Sequence, residues 1–138
     1  MISVRKQDVV KLEDVLHLYQ AVGWTNYTHQ PEMLEQALSH SLVIYVALDG
    51  DAVVGLIRLV GDGFSSVFVQ DLIVLPTYQR QGIGSALMKQ ALGDFKGAYQ
   101  VQLVTEQTEK NVGFYRSLGF EDLSTYDCIG MTWINREK

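Results

Sequence analysis

The sequence predicts an α/β (α+β) fold, a mixed central sheet with about four helices on its faces. Three observations carry that prediction. The hydrophobic period switches between helical and strand spacing in the order β-α-α-β-β-β-α-β-α-β. Asp49-Gly50 between two β-rich runs marks a hairpin, which is antiparallel. A strand-helix-strand unit over 66–104 requires a parallel crossover in the same sheet.

Taken in order, residues 2–6 read as a short strand. Val9, Leu12, Val15, Leu16, Tyr19 and Val22 follow helical spacing, and Gly23 stops that helix. Trp24 to Gln30 has no period and reads as a loop. Pro31 opens a second helix at the first-turn position proline prefers, with Met33, Leu34, Ala37 and Leu38 on one face. The run Leu42–Leu48 and its return Ala52–Val60 form the hairpin, and a third strand covers Ser66 to Leu75, stopped by Pro76. A helix follows from Gly82 to about Phe95, then a strand over Tyr99–Val104 and a helix from Glu109 to Leu118, closed by Gly119. The tail supplies a last strand near Cys128 to Ile134.

The 138 residues fit a single domain, 1–138. With 47% hydrophobic and 20% charged residues the composition is that of a globular chain. The 11 Lys and Arg against 16 Asp and Glu give a charge of −5, which argues against a nucleic-acid partner. Cys128 is the only cysteine, so no intrachain disulfide forms, and it reads as a small buried hydrophobe of the late strand. No apolar leader and no run of membrane-spanning length occur, which points to a cytoplasmic protein with no membrane partner. His17 and His40 lack ligand spacing to other metal-binding groups, so no metal is expected.

The segment from Asp71 to Ser85 carries the chemistry. A buried strand ends, a proline breaks it, and a glycine-bearing turn feeds a helix whose first N–H groups point outward. Together with the helix dipole they form an anion site suited to a pyrophosphate. Side chains at Gly82 and Gly84 would block approach of a phosphate to the backbone, and Arg80 adds a charged contact. A dinucleotide fingerprint needs glycine where Leu87 stands, and a P-loop needs Gly-Lys-Ser/Thr, which is missing. The pattern that fits is Gln/Arg-x-x-Gly-x-Gly/Ala, at Gln79, Gly82 and Gly84.

At these residues the chain resembles the GNAT acetyltransferase superfamily. The Leu-x-Val-x-Pro-x-Tyr ahead of the loop, Phe114-Tyr115-x-x-x-Gly119-Phe120 downstream and the element order extend the likeness over essentially all of the sequence. Val22-Gly23-Trp24, Val54-Gly55-Leu56-Ile57-Arg58 and Gly130-Met131-Thr132-Trp133 are similar to the small bacterial and plastid-type members, some of which acetylate arylalkylamines.

The resemblance implies transfer of an acetyl group from acetyl-CoA directly to a primary amine, with both substrates bound in a ternary complex. Leu72, Ile73 and Val74 would pair with the pantetheine arm, and an N–H near Val74 would polarise the thioester carbonyl. Gln79, Arg80, Gln81, Gly82, Ile83, Gly84 and Ser85 would hold the pyrophosphate. Tyr115 sits where the family places the acid that protonates the departing thiolate. Phe114 either touches the cofactor or packs its helix. Thr108 stands where an asparagine is frequent, and Asn111, one turn before Tyr115, becomes a cofactor contact. Asp71 alternates with Val67, Val69 and Ile73 onto a buried face, as general base or as partner of Arg58 on the next strand.

Trp24, Tyr27, Arg58 and Phe64, with His29 and Tyr45, are the residues expected around the amine. Two other readings stay open at this point, a non-catalytic acyl-CoA-binding module and an acetyltransferase of protein lysines or N-termini. The apolar last strand adds the expectation of a homodimer.

Overall fold

The structure, a computed structural model, describes residues 1–136. The chain falls into two compact units, one ending at Leu103 and the other beginning at Val104.

The first unit is built on a five-stranded sheet in the order β1-β2-β3-β4-β5. The strands are β1 (Ile2–Lys6), β2 (Val43–Asp49), β3 (Ala52–Gly61), β4 (Ser66–Val74) and β5 (Gln100–Leu103). The first four pair antiparallel and β5 joins β4 in parallel, which is the mixed sheet expected. Between β1 and β2 run α1 (Leu12–Ala21), α2 (Thr25–Thr28) and α3 (Pro31–Ser39). The loop expected over Trp24–Gln30 thus contains a single helical turn. Tyr27 is buried there, so packing supplies what the sequence period does not.

The strand alternation divides the core between the two sheet faces. Ile44, Val46, Leu48, Leu56 and Ile73 pack with Val15, Leu18, Tyr19, Leu34 and Leu38 of the early helices. Burying a leucine such as Leu18, Leu34 or Leu56 contributes about 2 kcal/mol each. Tyr45 donates to Asp94 at 2.6 Å, which ties β2 to the end of α4 (Ile83–Asp94). Ile83, Leu87, Met88 and Ala91 of α4 are buried.

The second unit holds α5 (Glu109–Ser117) and a 3₁₀ turn at Leu123–Tyr126. The strand expected at Cys128–Ile134 is not formed among the described residues. The expectation rested on apolar residues in strand spacing, but a strand also needs a neighbour to take its backbone hydrogen bonds, and this segment pairs with none. For the same reason Cys128 is exposed and not a core residue.

Candidate active site

β4 is longer than its parallel neighbour. Ser66 to Val69 pair with Gln100 to Leu103 of β5, whereas Asp71 to Val74 pair only with Arg58 to Gly55 of β3. Among the described residues the C-terminal half of β4 therefore has one backbone edge that no strand takes. Leu75 N–H donates to Val54 C=O of β3 at 2.9 Å. Successive peptide groups point to opposite edges, so Val74 presents its N–H and C=O to the open side. The C=O accepts from the Gln79 side-chain amide at 3.1 Å. Gln79 thus folds its amide back onto the strand end and fixes how the following loop leaves it.

A 3₁₀ turn at Pro76–Tyr78 then carries the chain to α4. Arg80 and Gly82 both have positive φ, 66° and 77°. Gly82 is the left-handed N-cap of α4, with no side-chain cap, and its C=O takes the first intrahelical bond from Ala86 at 3.0 Å. The N–H groups ahead of Ala86 are left with the partial positive charge of a helix start. Any side chain at position 82 would be strained by that φ. An open strand edge leading into an uncapped helix start gives an extended acyl arm and an anionic group adjoining places on one stretch of chain.

On the face of the early helices the sheet carries a closed polar cluster. A register shift leaves Gln70 without a partner on β3 and sets Asp71 directly opposite Arg58. Asp71 Oδ2 accepts from Arg58 Nε at 2.7 Å and from the Tyr19 hydroxyl at 2.9 Å, and Oδ1 accepts from the Tyr27 hydroxyl at 2.9 Å. Arg58 directs three further N–H donors to the Tyr27 hydroxyl, Ser41 Oγ and Ala37 C=O. Arg58 and Asp71 are the buried charged residues of the described chain, 4% and 3% exposed, and the cluster leaves neither without partners. Burial, reinforced by the neighbouring Asp71 charge, raises the pKa of both tyrosines, so they are donors at any ordinary pH.

Of the two roles open for Asp71, the geometry is that of Arg58's partner. Tyr19 was legible only as an apolar position of α1. The signal that could have found it is the need of a buried tyrosine hydroxyl for an acceptor, with Asp71 as the carboxylate on the facing strand.

The expected amine-side residues separate into two groups. Trp24, Tyr27 and Arg58 come together, with Trp24 and Tyr27 ring centroids 6.3 Å apart and the Arg58 guanidinium 5.9 Å from the Tyr27 ring. Phe64 does not join them. It lies in the β3–β4 turn, 84% exposed, where Asp62 holds the backbone N–H groups of Phe64, Ser65 and Ser66. Tyr45 is committed to Asp94, and His29 is exposed. A cavity of about 260 Å³ opens between β1 and α1, with Arg5, Gln7, Val10 and Asp14 in its lining, and none of the expected site residues borders it. Among the described residues no group of acidic, cysteine or histidine side chains could hold a metal ion, and no helix is long and apolar enough to cross a membrane.

In the second unit, Thr108 caps α5 by accepting from Asn111 N–H at 3.1 Å. This explains its place at the helix start, since a threonine side chain there satisfies an orphan donor. Tyr115 stacks edge-on with Phe114 at 5.0 Å and Phe120 at 5.9 Å. Gly119, with φ of 99°, turns the chain so that Phe120 N–H reaches Tyr115 C=O at 3.1 Å. The Phe-Tyr-x-x-x-Gly-Phe motif is thus a helix stop that fixes one tyrosine among rings. Desolvation of its half-buried hydroxyl pushes the Tyr115 pKa up.

Residues 40–122 match the family model of the acetyltransferase (GNAT) domain, more than half of the chain. The chain belongs to the GNAT acetyltransferase family.

A serotonin N-acetyltransferase of Oryza sativa subsp. japonica, named as chloroplastic, is 34% identical over 117 residues. The match covers 82% of this chain but only 56% of the rice protein. A chloroplastic GCN5-related N-acetyltransferase of Arabidopsis thaliana is 30% identical, with 97% of this GNAT chain and 68% of that protein covered. Among solved structures, a GNAT-family acetyltransferase of Streptococcus pneumoniae TIGR4 is 84% identical at a TM-score of 0.91, covering 99% of each chain. PaiA N-acetyltransferase of Thermoplasma acidophilum, solved with coenzyme A, shares the fold at a TM-score of 0.71 and 19% identity, over 88% of this chain and 91% of that one. The expected resemblance to bacterial and plastid-type members stands on these relatives.

Proposed function

We propose that this GNAT protein transfers the acetyl group of acetyl-CoA directly to a primary amine, with no acyl-enzyme intermediate. The observation that carries the reading is the open β4 edge at Leu72–Val74 leading into the uncapped start of α4 at Gly82. The pantetheine amides pair with the open edge as an added strand would, and the pyrophosphate sits on the N–H groups from Gln81 to Ser85, with Arg80 beside it.

The neutral amine attacks the thioester carbonyl carbon, and the new C–N bond places negative charge on the carbonyl oxygen. Val74 N–H, aimed at the open side, stabilises that charge. Collapse breaks the C–S bond, and the thiolate takes the proton of Tyr115, whose raised pKa keeps that proton in place until it is needed. The proton lost by the amine passes to water, and solvent returns a proton to the Tyr115 phenolate. Asp71 anchors Arg58 and the two tyrosines in this scheme, because taking a proton would disrupt the bonds it accepts. Phe114 holds the Tyr115 ring by stacking, and Asn111 offers its amide to the cofactor from the turn before.

The rice relative's name and the Trp24–Tyr27 ring pair make an arylalkylamine the first acceptor class to test, ahead of polyamines and basic peptides. Calorimetric titration with acetyl-CoA, beside a Gly82→Trp variant, tests the donor site. Binding by the wild type and its loss in the folded variant is the expected result. A folded wild type that does not bind acetyl-CoA would end the proposal.

A further inference from the structure

Between Leu75, whose N–H still belongs to the sheet, and the start of α4 the chain holds two left-handed residues, Arg80 and Gly82. Left-handed backbone at an arginine is costly and persists only where the surroundings fix it. The bonds within the turn are local. Tyr78 N–H donates to Leu75 C=O at 2.8 Å, Gln79 N–H to Pro76 C=O at 3.4 Å, and the Gln79 amide reaches back to Val74. The tie to a distant part of the chain is the Tyr78 hydroxyl, which donates to Asp49 Oδ2 at 2.6 Å.

Asp49 ends β2, at the end of the sheet where β4 also stops, since Gly55 near the start of β3 faces Val74. Strand alternation puts Tyr45, Ala47 and Asp49 on one face of β2. α4 lies close over that face. A Cβ added at Gly55, opposite Ala47, would come within 3.3 Å of Leu87 Cδ1. One strand thus meets the donor segment at both ends. Tyr45 holds Asp94, the last residue of α4, and Asp49 holds Tyr78, ahead of its first. The 2.6 Å separation is that of a charge-assisted O–H···O⁻ bond. This bond is the main cause that lowers the Asp49 pKa and raises that of Tyr78. The Met1 amine, fully exposed, lies 3.4 Å from the other Asp49 oxygen and adds little.

We infer that Asp49 and Tyr78 are positioning residues for the donor, a brace that holds the turn from Gln79 to Gly82 in its binding shape before acetyl-CoA arrives. This rests on the acetyl-CoA reading above. A turn already in shape leaves less ordering to be done on binding, so the brace acts on donor affinity.

The test is calorimetric titration with acetyl-CoA, well below the Tm of every protein compared. Tyr78→Phe and Asp49→Ala each remove the bond, and Asp94→Ala cuts the tie at the other end of α4. Each brace variant is expected to bind acetyl-CoA about 5- to 10-fold more weakly, and the double variant no more weakly than Asp49→Ala alone. Asp49→Asn, which still accepts from Tyr78, should recover part of the loss. Asp94→Ala should lower Tm and keep wild-type affinity. Unchanged affinity in folded Tyr78→Phe would overturn the brace. So would losses that add in the double variant, or an equal loss in Asp94→Ala, because either marks general loosening of the fold. A wild type that binds acetyl-CoA beside variants that match it removes the brace alone. A folded wild type that binds none removes the donor reading and the brace with it.

Discussion

Asp71 and Val74 lie on the same strand and treat their polar groups in opposite ways. Asp71 spends both carboxylate oxygens on Arg58, Tyr19 and Tyr27, inside the face covered by the early helices. Val74 turns a backbone N–H toward an edge that β5 does not reach, just before a helix start with no side-chain cap. The buried site is closed because an unpaired charge there would be ruinous. The edge can stay open because a ligand or water can complete it. The contrast separates the groups that hold the sheet together from those free to act on a substrate.

Asp71→Ala should break the closed side with the largest effect. It strands Arg58 in a buried position and removes the acceptor of two tyrosine hydroxyls, a loss of about 3–5 kcal/mol by denaturant unfolding. Acetyl-CoA affinity of the fraction still folded should change little. If Asp71 acted as the base, Asp71→Asn would lower turnover far beyond its effect on stability, so measuring both on one preparation sharpens the comparison.

Tyr115→Phe probes the acid and leaves the fold alone, because the ring contacts with Phe114 and Phe120 survive without the hydroxyl. A fall in kcat of about 100-fold, with unchanged KM for acetyl-CoA and unchanged Tm, is the expected outcome. Equal kcat in the variant would return Tyr115 to a packing role. Gly82→Ala acts on the open side more gently than tryptophan does. Forcing alanine to φ near 77° costs about 1–2 kcal/mol, and relaxation of the turn tilts the first N–H groups away from the phosphates. Roughly tenfold weaker acetyl-CoA binding is expected by titration calorimetry.

How far the sequence disclosed these two sites depends on whether their logic is local. The strand-to-helix turn was readable because a strand, a proline and two glycines follow one another along the chain. The β2–β3 hairpin and the parallel β4–β5 crossover followed from hairpin and crossover rules for the same reason. The closed cluster joins α1, α2, β3 and β4, and its tyrosine partners depend on how helices settle on a sheet. The Arg58–Asp71 pairing was foreseeable as neighbours on adjacent strands, but Tyr19 was hidden behind its apolar period. Phe64 lies apart from Trp24, Tyr27 and Arg58, because aromatic character alone does not say which end of a strand a residue occupies. The late strand failed because Cys128–Ile134 has the right pattern and no neighbour in its own described chain to pair with.

The smallest effect lies in the β3–β4 turn, at the opposite end of β4 from Val74. Asp62 receives the Ser65 hydroxyl and three backbone N–H groups, and these donors hold its carboxyl well below the usual carboxylate range. Such a group stabilises the fold fully above its unfolded pKa of about 3.9, and the contribution fades as pH falls from there toward the folded value. Asp62→Asn keeps the shape but cannot titrate. The stability difference between wild type and variant should therefore be constant from neutral pH down to about pH 5 and shrink below about pH 4. Paired denaturant titrations across that range measure it. A difference that grows on acidification would mean that Asp62 is easier to protonate in the folded turn than in the unfolded chain, contrary to its hydrogen bonds.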